Sequence, residues 1–332
     1  MGQTVLVTGG AGYIGSHACK ALAEAGYAPV AYDNLGRGHR AAVRWGPLIV
    51  GELADGALLE ATLRRHDIAA VMHFAAFAYV GESVTHPALY FRNNVADSLV
   101  LLEAMGRVGV RNIVYSSTCA TYGIPQMVPI AETAPQQPVN PYGASKLMIE
   151  RMLYWLNGAG SHDYAALRYF NAAGADPAGE AGEDHDPETH LIPLVLDAAL
   201  GRRDAIDIYG TDYDTPDGTA VRDYIHVSDL AAAHVRALEH LQAGKGSLAL
   251  NLGTGTGASV REVIAAAERV TGRAIPRRET ARRPGDPPVL VADASRAREA
   301  LGWVPKLSAL EDILVTAWAW HRRRHAGTPG AA

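Results

Sequence analysis

The stretch Val5-Leu6-Val7-Thr8-Gly9-Gly10-Ala11-Gly12-Tyr13-Ile14-Gly15 constrains this chain more than any other. A short β-branched run breaks into glycines three residues apart, Gly9, Gly12 and Gly15, and a helical period follows at once. That order predicts a strand, a tight turn and a helix. Without side chains there, the backbone can approach a pyrophosphate, and the helix start offers it free N–H groups. A tight β–α turn can want glycines for its own sake, so the turn alone leaves a purely structural reading open. Asp33 adds context. It ends the second predicted strand, where a carboxylate accepts from an adenosine ribose and repels a 2′-phosphate. NAD is therefore favoured over NADP. Arg37 keeps NADP open, and the turn Asn34-Leu35-Gly36 offers Asp33 a merely local use.

The rest of the first half repeats the alternation. Strands are expected at Thr4–Thr8, Pro29–Tyr32, Leu48–Val50, Ala70–Phe74, Asn112–Ser116 and Ala165–Tyr169. Helices are expected at Tyr13–Ala25, Ala57–Arg65, Pro87–Val108 and Pro141–Asn157. Near-continuous apolar strands separated by helices imply an α/β, doubly wound parallel sheet of Rossmann type, covered on both faces. After Asn171 the character changes: Asp176–Thr189 is rich in Gly, Pro, Glu and Asp and reads as a loop opening a smaller α/β substrate-binding lobe. Helices follow near Leu191–Leu200, Val227–Leu241 and Val260–Thr271, while Leu248–Leu252 reads as a strand crossing back to the first sheet. The expected division is residues 1–173 for the cofactor and 174–325 for the substrate.

Bulk properties exclude whole classes of partner. At 332 residues and 48% apolar content the chain suits two coupled lobes. A net charge of −5 provides no field for nucleic acid. No stretch reads as a signal peptide or a membrane span, and Cys19 and Cys119 fit neither a disulfide framework nor a metal-ligand spacing. A cytoplasmic protein without a bound metal is the expectation. The basic run Arg322–Arg324 closes an expected helix, Leu310–His325, where cations complement the helix dipole.

Candidate chemistry lies in Pro141-Tyr142-Gly143-Ala144-Ser145-Lys146, which starts a helix with Pro in its first turn. Tyr142 and Lys146 stand at i and i+4, on one face. An ammonium there would draw the phenol pKa down from about 10, making Tyr142 a base for a substrate hydroxyl as hydride leaves its carbon. Such a spacing alone reads first as a partly buried aromatic beside a solvated lysine. The strand end Ser116-Ser117-Thr118 supplies a hydroxyl for the same substrate oxygen, and glycine turn, acidic strand end, hydroxyl and Tyr–Lys pair occur in the order a doubly wound site needs. His73 and His226, at apolar strand ends, read as satisfied core histidines.

Taken together, Gly12–Ser16, Val80–Ser83, Arg168–Asn171, Gly218–Val227 and Arg282–Asp286 resemble the UDP-glucose 4-epimerase family of the extended short-chain dehydrogenase/reductase superfamily, from Val5 to about Trp320. The resemblance implies that Tyr142 is the general base, Lys146 its ribose-binding partner, and Thr118 the hydroxyl that is usually serine. It implies cofactor contacts at Gly9, Gly12, Tyr13, Ile14, Gly15, Asp33, Asn34, Glu52, Leu53, Phe74, Ala75, Ala76, Asn93, Lys146, Tyr169 and Phe170. Around the UDP-sugar it implies Thr118, Tyr142, Asn171, His190, Leu191, Tyr209, Arg222, Arg283, Asp286 and Leu290. The arginines suit a diphosphate, Tyr209 can flank uracil, and Asp286 can accept from ribose. An Arg222–Asp223 salt bridge between lobes is the competing use of Arg222.

The implied reaction interconverts UDP-glucose and UDP-galactose through a 4-keto sugar, with hydride passing to bound NAD and back, in a homodimer. Some positions depart from the family pattern. Glu52 replaces a frequent aspartate, Ala78 a lysine found in some members, and His190 an asparagine, while mid-sized Leu290 leaves the sugar range open. Other UDP-sugar 4-epimerases acting on UDP-GlcNAc/GalNAc or UDP-arabinose/xylose remain alternatives, with a UDP-glucuronate decarboxylase or a non-catalytic NAD-binding regulator behind them. Cys119-Ala120 after Thr118 cannot perform the proton transfers that dehydratases assign to Asp-Glu there.

Overall fold

The computed structural model describes residues 2–283 and 285–325. Pro284, inside the Arg282–Asp286 segment, lies outside them. The first half consists of β1 (Thr4–Thr8), α1 (Tyr13–Glu24), β2 (Ala28–Asp33), β3 (Leu48–Val50), α2 (Gly56–Arg65), β4 (Ile68–His73), α3 (Val80–Thr85), α4 (Pro87–Tyr90), α5 (Asp97–Val108), β5 (Asn112–Thr118), α6 (Pro141–Gly158) and β6 (Asp163–Tyr169). Beyond it come β7 (Asn171–Ala173), α7 (Leu191–Ala199), β8 (Ile206–Tyr209), β9 (Val221–Arg222), β10 (Tyr224–His226), α8 (Val227–Gln242), β11 (Leu248–Leu252), β12 (Ala258–Ser259), α9 (Val260–Thr271), β13 (Arg277–Thr280), β14 (Val289–Leu290), α10 (Ser295–Leu301) and α11 (Leu310–Arg324).

Seven strands form one parallel sheet in the order β11-β6-β5-β4-β1-β2-β3. Alternating side chains explain its apolar strands. Val5 and Val7 pack into the core on one face, while Leu6 packs into the core on the other. The sheet does not end where the first half does. β11 pairs with β6 from Leu248↔Ala165 to Leu252↔Tyr169, and α8 packs against α1. A separate core, with Val195, Ile208, Ile264 and Leu314, lies among α7, β8, α9 and α11.

One expected helix is interrupted. Between α4 and α5 the chain widens into a π-helical turn, Phe91–Ala96. The turn carries Asn94 into the interior, where its Oδ1 accepts from Phe77 N (2.8 Å) and its Nδ2 donates to Phe77 O (3.0 Å) and Ser145 Oγ (3.1 Å). A satisfied polar side chain thus replaces regular helical pitch beside the start of α6.

Candidate active site

At the end of β1 the chain turns through Gly9, whose φ of +72° suits glycine. A Cβ on Gly15 would lie 2.1 Å from Gly9 O, so the helix start can pack this closely on the turn only without a side chain. Gly12, the N-cap of α1, makes no side-chain cap hydrogen bond, and the positive helix end keeps its donor character. Both oxygens of Asp33 are engaged by backbone amides. Its Oδ2 accepts from Ala11 N in the glycine turn (3.0 Å) and its Oδ1 from Leu35 N (2.8 Å). Asn34 donates to the Glu52 carboxylate (2.9 Å), and buried Leu53 follows. Across the gap, Phe74 N and Ala75 N both donate to Thr8 O, stitching the end of β4 to β1 just before Ala76. Ile14 packs on the core below, while the Tyr13 hydroxyl donates to Gly174 O (2.6 Å). Asn93 donates to Asn94 Oδ1 (2.9 Å).

The Tyr–Lys pair faces the same sheet edge. Asn140 caps α6 through Gly143 N (2.8 Å) and Pro141 occupies its first turn. A Cβ at Gly143 would come within 2.4 Å of Ala120 O, so glycine lets the helix abut the turn after Thr118. Thr118 stands beside the Tyr142 phenol, and its Oγ1 accepts from Ala120 N (3.1 Å). Lys146 is buried, donates to Ser116 O (2.8 Å) and lies over the Tyr115 ring at 5.1 Å. Tyr169 shares a 2.5 Å hydrogen bond with Ser116 Oγ, and Phe170 packs with Cys119, Tyr122 and Leu290.

The electrostatics correct one expectation. Burial pushes the Tyr142 phenol up, Tyr169 adds to this, and the Thr118 hydroxyl opposes it. Burial also draws the Lys146 ammonium down to about 7, against the pull of Glu150. Among protein groups, then, burial dominates the tyrosine, in the direction opposite to the one expected of the ammonium. Glu150, missed from sequence, stands at i+8 on the Tyr142–Lys146 face, a spacing that gave the signal. It is locked by Arg168 (Nη2 to Oε2, 2.6 Å), Ser117 and Gln136.

Substrate-side candidates come from both parts. Asn171 N donates to Asp223 O (3.0 Å), beside Arg222 on β9, and Leu290 on β14 stands opposite Arg222. The Arg222–Asp223 bridge is absent. Asp223 is buried and accepts from Thr254 N, Thr254 Oγ1, Gly255 N and Ala292 N, which satisfies it without a cation. Arg222 turns instead to Asp286. Arg283 stacks over the Tyr209 ring at 3.8 Å. His73 is held between Thr8 Oγ1 (2.6 Å) and Ser98 Oγ (2.8 Å), and His226 between Ser228 N and Thr316 Oγ1 (both 3.0 Å). Leu191 opens α7, but His190 before it hydrogen-bonds Glu188 (2.9 Å) and lies 2.8 Å from Glu183.

Comparison with known proteins follows the same lines. The model of the NAD dependent epimerase/dehydratase family matches residues 5–253. A UDP-glucose 4-epimerase of Rhizobium leguminosarum bv. trifolii is 54% identical over 322 residues, spanning 97% of this chain and 98% of the relative. The crystal structure of UDP-glucose 4-epimerase from Brucella ovis in complex with NAD superposes with a TM-score of 0.94 at 54% identity, over 96% of this chain and 98% of that one. The corresponding enzyme from Bifidobacterium longum, in complex with NAD+ and UDP, gives 0.92 at 40% identity over 99% and 100%.

Proposed function

The chain belongs to the NAD dependent epimerase/dehydratase family, and on that premise we propose that it is a UDP-glucose 4-epimerase whose proton acceptor is Tyr142. The observation that carries this reading is the meeting of Thr118, Tyr142 and Lys146 at the carboxyl ends of β5 and β6, the edge that also bears the glycine cradle.

The residues fit NAD. The side-chain-free packing of Gly15 on Gly9, the uncapped Gly12 and the buried Asp33 carboxylate suit pyrophosphate and a ribose without 2′-phosphate. Bound NAD supplies a reversible hydride acceptor for sugar C4 and a positive ring that favours the phenolate. Tyr142 takes the proton of the 4-hydroxyl and returns it after the 4-keto sugar has turned over. Thr118 donates to the phenolate and orients that oxygen, while Lys146 and Ser116 hold the floor of the site. Arg222 and Arg283 grip the diphosphate, Tyr209 flanks uracil, and Asp286 accepts from ribose. Residues 1–173 with the returning strand serve the cofactor, and 174–325 the UDP-sugar.

The purified protein, given UDP-galactose without added cofactor, should yield UDP-glucose. Tyr142→Phe should lower turnover about 10²–10⁴-fold while NAD is retained. Near-native turnover in that variant would remove Tyr142 from the chemistry. Parallel incubation with UDP-GalNAc and UDP-arabinose fixes the sugar range.

Two broader assignments belong to the same proposal. Exposed Leu99, Met148, Tyr154 and Trp155 on α5 and α6 support a homodimer built on those helices. Trp155→Glu should shift the mass seen by light scattering towards the monomer. Two free, buried cysteines support a reducing cytoplasm, which fractionation of the source cells tests. No helix among the described residues is long and apolar enough to cross a membrane.

A further inference from the structure

The loop from β7 to α7 gathers four metal-ligating side chains that the proton chemistry does not use. Glu183, His185, Glu188 and His190 each bring one donor atom to a common point, all within 4.8 Å of one another. His185 Nδ1 lies 3.1 Å from Glu183 and 3.7 Å from Glu188, and His190 Nδ1 lies 2.8 and 2.9 Å from the same two carboxylates. Both imidazoles therefore turn the same nitrogen inwards. Among the described residues, no lysine or arginine stands in ion-pair range of either glutamate. Neighbouring Asp184 is different, pairing with Arg324 (2.6 Å) and His39 (3.1 Å).

We infer that Glu183, His185, Glu188 and His190 form a binding site for one divalent transition metal ion of the zinc class. Two imidazoles and two carboxylates match the number and type of donors of a closed tetrahedral zinc site, whereas magnesium and calcium take all-oxygen shells. Only unprotonated nitrogens and ionised carboxylates ligate. One divalent cation against two carboxylates leaves the set neutral. The loop around it is well anchored. Glu183 O accepts from Trp320 Nε1 (2.9 Å), and the Tyr13 and Tyr79 rings stand about 6 Å from His185. The ion would thus clamp the β7–α7 loop, and fix His190 and Leu191 at its end. A second cluster, Asp197, His321 and His325, has one donor fewer, and Arg202 already occupies Asp197 (2.9 Å).

The test is calorimetric titration of the chelator-stripped, full-length protein with zinc chloride. One ion should bind per chain, and magnesium chloride should give no comparable binding. His185→Ala should weaken zinc by about 100-fold, His321→Ala should not, and zinc should raise Tm in the unmodified chain. Substoichiometric zinc, equal binding of magnesium, unchanged affinity in His185→Ala, or loss confined to His321→Ala would each overturn the assignment. Should His185→Ala fail to fold by circular dichroism, Glu188→Gln replaces it. The visible spectrum of the unmodified chain with cobalt(II) reads the geometry independently: intense tetrahedral bands support the site and weak octahedral bands refute it.

Discussion

The cofactor side and the substrate side of this cleft are built from different materials. On the cofactor side, main chain does the shaping: Gly15 packs on Gly9 O, Asp33 accepts from two backbone amides, and β4 is stitched to β1 through Thr8 O. On the substrate side, long charged side chains face each other, with Arg222 on Asp286 and Arg283 over Tyr209. The first arrangement is set by main-chain contacts, and on the proposed function it would hold a constant ligand. In the second, Arg222 would exchange Asp286 for the diphosphate of the proposed substrate.

Acid should separate the two sides most strongly. His17 lies on α1 and His234 on α8, which follows residue 174 in sequence but packs against α1 over the cofactor-side sheet. Each uses Nδ1 towards a carbonyl one turn earlier (2.8 Å), and burial draws both down to about 4. Their Nε2 atoms lack a partner among the described residues. Since the folded pKa lies below the unfolded 6.5, the unfolded chain binds more protons in that window. Stability is full above about pH 6.5 and is lost as pH falls towards 4, by on the order of 1 kcal/mol per group per unit. Urea unfolding at pH 7 and 5 should show the loss, and a smaller loss in His234→Gln. Equal pH dependence in that variant would mean the cofactor side is not the acid-labile one.

Gly15→Ala should cost about 1–3 kcal/mol through overpacking and release NAD, read as the cofactor absorbance retained after gel filtration. If NAD stays bound, the main-chain cradle is softer than its contacts indicate. Arg222→Lys keeps the charge but loses the planar fork. UDP affinity should fall about tenfold with NAD retention unchanged. A loss of NAD in that variant would erase the distinction between the sides.

What the sequence revealed tracks the range of the forces involved. β1, β3 and β11 were readable to the residue because short, mostly apolar runs stand there bounded by turns or helices. The Tyr142–Lys146 pair was readable because helical spacing is local. β13, Arg-Arg-Glu-Thr, was not, since every one of its side chains is exposed and no alternation marks it. The direction of the Tyr142 shift was hidden too, because burial is a property of the folded neighbourhood. Glu183, His185, Glu188 and His190 were in plain view as E-x-H-x-x-E-x-H, but the loop's Gly, Pro and acid content masked them as mere surface.

The position of β11 carries a consequence for how the molecule is made. The strand that borders β6 is synthesised long after it, at Leu248–Leu252, with the whole of α7 and α8 in between. Until residue 252 has left the ribosome, β6 is an open edge with unpaired amides, competent to recruit another copy. The pairing also spans more of the sequence than any other in the seven-stranded sheet, and closing it costs the entropy of that large loop. Nascent chains stalled before residue 252 has emerged should therefore aggregate or engage chaperones, and those stalled far enough on for residue 252 to have left the exit tunnel should not.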